Sequence, residues 1–134
     1  MKKVLLIICL TICFIDCSSN DNNSNNGEID ITPPTPFSIG DFVSGAHTTS
    51  GIASVNSIKT VLSFKNFKTD NGPKLLVYLT TEIGSSDYIS LGDLKGIEGD
   101  YTYDIPNNTD FSKYTIVDIW CVDFAVSFGH AELK

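Results

Sequence analysis

From Phe37 onward, short apolar segments recur roughly every ten residues, separated by Gly, Asn, Asp, Pro and Ser, and no stretch sustains a 3.6-residue period. Phe37, Ile39 and Phe42 begin a strand around Gly40-Asp41, Ala53 and Val55 belong to a second, and Val61, Leu62, Phe64 and Phe67 to a third. Thr69-Asp70-Asn71-Gly72-Pro73 reads as a turn, because Asn-Gly readily supplies positive φ. Leu75 to Leu79 is short, continuous and apolar, as in a central strand. Tyr88 to Leu91 makes another strand, and Tyr101, Tyr103 and Ile105 alternate in the next. Turns fall at Ile83 to Ser86 and Leu94 to Gly99, and Thr109 to Tyr114 has room for one helical turn.

The last fifth of the chain, Tyr114 to Leu133, is the densest in β-branched and aromatic residues. Ile116, Val117, Ile119, Trp120 and Cys121 are apolar on both parities, as in a strand covered on both faces. Val122, Phe124, Val126 and Phe128 alternate with Asp123, Ala125 and Ser127, which predicts a strand with one buried face. The fold class is therefore all-β, an antiparallel β-sandwich or barrel-like domain over 37–134.

The first residues are of another kind. Lys2 and Lys3 precede an apolar run from Val4 to Ile15, too short for a membrane-spanning helix of about 20 residues and suited to a secretory leader. Cys17 then opens a run of small polar residues, the pattern of a bacterial lipoprotein cleavage site, although Asp16 is awkward directly before the cut. The expected organisation is a signal peptide over 1–16, a lipidated Cys17 and an Asn/Ser/Pro-rich linker over 17–36. The expected location is a bacterial cell envelope, on the exported side, with the lipid as the membrane contact. Ser18 to Pro36 lacks the apolar surface to offset its ordering entropy, so it is expected to be a disordered tether spanning on the order of 25 Å.

This organisation changes the chemistry available. Cys9 and Cys13 leave with the leader and Cys17 is acylated, so Cys121 alone remains a thiol, and neither an internal disulfide nor a Cys-rich metal cluster can form. The formal charge is −7; without Lys2, Lys3 and Asp16, the nine basic residues become seven, the sixteen acidic ones fifteen, and the charge −8. The chain has no Arg, which with this acidity argues against a nucleic-acid partner.

Cys121 has two readings, a redox thiol or prosthetic-group ligand, and a small buried hydrophobe. No Lys or His lies close in sequence to activate it, and Asp118 and Asp123 would raise its pKa if near. His47, in a Gly/Ser/Thr-rich loop, either bonds the local backbone or acts as a ligand, provided the fold brings the loop to the terminal strand. Trp120 is core or an electron relay, and His130 is a surface residue at a strand end. With Met1 gone, Met–His haem ligation is impossible, so any haem would be held by Cys121, His47, His130 or a Tyr. A copper centre is disfavoured, because a single strand would hold Cys121 and His130 more than about 20 Å apart. There is no nucleophile-base-acid constellation, so no catalytic residue is assigned.

Several segments in succession resemble the DM13 family, a small module of exported and membrane-associated proteins. They are Gly40 to Gly51 (GDFVSGAHTTSG), Val61 to Leu79 (VLSFKNFKTDNGPKLLVYL), Leu91 to Gly99, Tyr103 to Pro106 and Ile119 to Leu133. The resemblance implies a β-rich domain with a proposed part in electron transfer. It also places the family's characteristic cysteine, suggested as a bare thiol or a ligand to a group such as haem, at Cys121. The alternative is a non-catalytic binding or display module in which Cys121 is core and the loops around His47, Asn71 and Asn107 meet a partner.

Overall fold

A computed structural model describes residues 33–134. The leader, Cys17 and most of the tether lie outside the described residues; Pro33 to Pro36, at the tether's end, is exposed and without regular structure.

Eight antiparallel strands follow in order, and no helix occurs among the described residues. They are β1 (Ser38–Ser44), β2 (Ser50–Val55), β3 (Val61–Lys68), β4 (Leu75–Thr80), β5 (Tyr88–Asp93), β6 (Glu98–Asp104), β7 (Ile116–Cys121) and β8 (Val126–Glu132). They hydrogen-bond in the order β5-β4-β7-β8-β1-β2-β3-β6. The chain thus forms the expected all-β domain, as a nearly closed, barrel-like sheet. Thr109 to Tyr114 does hold one turn, with the Tyr114 N–H donating to Asp110 O at 2.9 Å.

Closure depends on β1. Ser38 to Asp41 pair with β2, and Phe42 to Ser44 pair with β8, so one strand serves both halves of the sheet. Phe42 stands where the pairing changes over, buried edge-on against Phe64 and Phe67 at ring-centre distances of 4.9 and 5.0 Å.

Phe64 and Phe67 have opposite parity, so a regular strand would send one of them outward. Between them the β3–β6 register shifts, and Asn66 takes a left-handed φ of 49°. This bulge turns both rings into the core. Asp100 on β6 holds it, accepting from the Asn66 N–H and from Lys65 Nζ, each at 2.8 Å. The Lys65 contact, then the Asn66 N–H, keep the Asp100 carboxyl below the usual range. Facing the bulge, Gly51 has φ +117°, and a Cβ there would lie 2.7 Å from Phe67 Cα.

Two expectations are corrected. Asn71 and Gly72 form no positive-φ turn; residues 69–74 run as an irregular connection from β3 to β4. What Gly72 permits is close approach, since a Cβ there would sit 2.9 Å from Phe128 Cζ. The alternation from Val122 to Phe128 is not one strand either. Residues 122–125 are a turn, with Ala125 at φ 50°, that folds β7 back onto β8, and Phe124 is 64% exposed. Local turn geometry overrides the first four residues of this seven-residue period-2 pattern.

Gly40 tests the shared strand. A Cβ there would lie 2.2 Å from the Glu132 carbonyl oxygen, backbone that cannot swing aside. Gly40→Ala is expected to lower stability by about 1–3 kcal/mol in urea unfolding, the usual cost of forcing atoms into packed space.

Candidate functional site

On β7, Val117, Ile119 and Cys121 face the core, and Asp118 and Trp120 face outward, as the pleat requires. Cys121 is 0% exposed, between register partners Leu75 on β4 and Val126 on β8. Asp118, on the other face, is not beside the thiol, and Asp123 is exposed in the turn. The consecutive residues Trp120 and Cys121 therefore sit on opposite sides of one strand.

The fold does bring the His47 loop to the terminal strand. The His47 N–H donates to Phe128 O at 3.3 Å, and the imidazole stacks on the Phe128 ring with centres 3.9 Å apart. Its Nδ1 lies 2.9 Å from Asp70 Oδ2. Beneath it, Thr49 Oγ1 joins Thr69 Oγ1 at 2.9 Å and donates to Phe128 O at 3.0 Å. His47 is thus tied to Asp70 and Phe128, a clasp between the loop and β8. His130 also departs from expectation: it lies within β8, half-buried, opposite Asp118, with Nδ1 buried and without a hydrogen-bond partner.

These placements bear on cofactors. Cys121 and His130 are on paired strands of a hairpin, not on one extended strand, yet the thiol points inward and the imidazole lies across from outward-facing Asp118. Among the described residues no group of three His, Cys, Asp or Glu side chains is placed to hold a metal. A haem on Cys121 does not fit this core. Cofactor pockets run to roughly 300–1,000 Å³, and the clefts of about 380, 340 and 320 Å³ on this domain are lined by other residues. Leu75, register partner of Cys121, lines the first of them, and Cys121 itself does not.

The outer face of β4, β5, β7 and β8 carries a second cluster, of which the sequence reading picked out only Trp120. Tyr78, Thr80, Gly84, Ser85, Tyr88, Asp118 and Trp120 line a cleft of about 80 Å³. Tyr78 and Tyr88 stack with ring centres 4.0 Å apart. Asp118 is 1% exposed, its Oδ1 accepting from Ser127 Oγ at 2.5 Å. Burial pushes its carboxyl above the ordinary value, partly offset by the Ser127 hydrogen bond and then by His130. Burial first, and then the Tyr88 hydroxyl and the Asp118 charge, push Tyr78 up to about 12. The available signal was an aspartate inside Ile116 to Cys121, a strand otherwise apolar on both faces.

The family model for electron transfer DM13 matches residues 41–133. Neither a curated protein nor a solved structure matches the chain.

Two outcomes are expected. Cys121 should resist iodoacetamide in the folded domain and react fully in denaturant, as mass spectrometry would read; equal labelling in both conditions would contradict its burial. Asp118 has a folded pKa raised above its ordinary 3.8, so its contribution to stability is fully present below pH 3.8 and is lost as pH rises through the folded value. Asp118→Asn, which keeps an acceptor for Ser127, should be more stable than wild type at pH 7. That difference should vanish near pH 3 in thermal melts.

Proposed function

This chain belongs to the DM13 electron-transfer family, and on that premise we propose that it is an electron-transfer accessory of a bacterial cell envelope. In this reading a lipid on Cys17 holds it to the exported side of a membrane. The observation that carries it is the division of two consecutive oxidisable side chains between the faces of β7, Cys121 sealed in the core and Trp120 at the outer cleft.

Thiol–disulfide exchange needs a thiolate to reach the sulfur, and a thiol with no exposed surface does not offer that approach. One-electron transfer does not need contact with the sulfur. A docked one-electron acceptor takes the electron from the aromatic side chains of the outer face, and a donor of the same class returns it. Asp118 and water at the cleft take the proton that a phenol or indole sheds on oxidation. Cys121, next to Trp120 in the chain, lies on the inner side of the strand as the second oxidisable side chain.

The full burial of Cys121 equally favours a second reading, a non-catalytic binding or display module in which the thiol is only core. Stopped-flow reaction with a cationic ruthenium(III) oxidant separates the two. Under electron transfer, Trp120→Phe should slow oxidant consumption several-fold and Cys121→Ala about twofold or more, with circular dichroism confirming both folds. Wild-type rates in both variants would remove the electron-transfer reading and leave the binding module.

A further inference from the structure

The small cleft on the outer face has a chemistry of its own, independent of whether Cys121 carries electrons. Its floor is a carboxylate: Asp118 is 1% exposed, and while Oδ1 receives the Ser127 hydroxyl, Oδ2 receives no hydrogen bond among the described residues. Its lining is otherwise largely aromatic, with Trp120 and the stacked pair Tyr78 and Tyr88. No lysine lines it. The nearby group able to carry positive charge, His130, neighbours Asp118 on β8 without lining the cleft.

The remaining wall is held in place before any ligand arrives. Thr80 Oγ1 donates to Glu82 O at 2.8 Å, and Thr81 Oγ1 donates to Ser85 Oγ at 3.2 Å, fixing the turn over 82–85. Gly84 takes a φ of +75° there, and a Cβ on it would meet the Trp120 ring edge at 3.8 Å. Two side-chain hydrogen bonds thus tie the turn to the end of β4, beside the indole.

A buried carboxylate without a full set of partners is costly, and the cost falls when a cation comes to it. The electron-rich faces of Trp and Tyr attract cations as well. A calcium or magnesium ion is a poor match, since it takes six or more oxygen ligands and the cleft offers one carboxylate and four hydroxyls, two of them phenolic. Nor is there, among the described residues, a group of three His, Cys, Asp or Glu side chains for another metal. An anion would meet the carboxylate on a chain of net charge −7. At about 80 Å³ the space takes a headgroup and leaves any longer tail in solvent. We propose that the cleft between Trp120 and the Tyr78–Tyr88 stack binds a small alkylated ammonium group, with Asp118 as its counter-ion.

Trp120 is the single tryptophan of the chain, so intrinsic fluorescence reads the site directly. Choline, titrated into the full chain, should give a saturable change with a dissociation constant of about a millimolar or below. Its neutral isostere, 3,3-dimethylbutan-1-ol, should bind at least about tenfold more weakly. Asp118→Asn should lose at least about tenfold in affinity, and Tyr88→Ala, a truncation at a 42% exposed position, several-fold. Phosphatidylcholine vesicles that reproduce the choline signal would place the group in a lipid headgroup, and vesicles without effect would place it in a free solute; either outcome supports the site. No saturable change with choline up to about 100 mM would overturn the proposal. So would equal binding of the neutral isostere, or affinity unaltered in both variants.

Discussion

Phe42 stands at the residue where β1 stops pairing with β2 and begins pairing with β8, and most of this architecture depends on what its ring does there. A strand can serve two halves of a sheet only if the sheet bends sharply at that point, and a sharp bend needs bulk on its inner side. Phe42, Phe64 and Phe67 supply it as three mutually packed rings. Two of those rings come from positions that a regular strand would separate. The left-handed Asn66, held by Asp100, reconciles sequence parity with core packing.

The same alternation, unbroken along β7, decides where chemistry can happen. It puts a thiol in a sealed interior and an indole, with a buried carboxylate two residues before it, on the outer face. Redox chemistry that needs contact with sulfur is closed off, while chemistry that works through aromatic rings or through charge remains open. The two proposals use that outer face in different ways, one by passing an electron and the other by receiving a cation.

Much of the fold was legible because apolar segments of strand length were divided by turn residues, and the positions assigned to β3, β4 and β5 fall in strands. Failures came where a short motif has two physical outcomes. Asn71-Gly72 served close packing against Phe128 in place of a tight turn, and the alternation at Val122 to Ala125 marked a hairpin bend. The site was less legible still. Tyr78, Tyr88 and Asp118 lie on three strands, and a single sequence does not reveal that β7 pairs with β4 or that β5 pairs with β4 on the other side. Trp120 stood out as the single tryptophan, and the other visible sign was the anomaly of Asp118 in an apolar strand. His47 was drawn to the terminal strand, but to Phe128 and Asp70, partners that its Gly/Ser/Thr-rich surroundings did not announce.

The near closure of the barrel also bears on the two strand edges that the sheet leaves unpaired. The two strands that end the sheet, β5 and β6, follow each other in the chain, and residues 94–97 run between them. That connection is pinned by the Leu94 N–H to Leu75 O and by the Thr69 N–H to Ile97 O. Unpaired strand edges are what neighbouring molecules use to add strand to strand and begin to aggregate. Here the two strands that carry those edges are joined directly by residues 94–97, whose backbone hydrogen bonds to Leu75 and Thr69 tie both ends of the sheet to the same short stretch of chain.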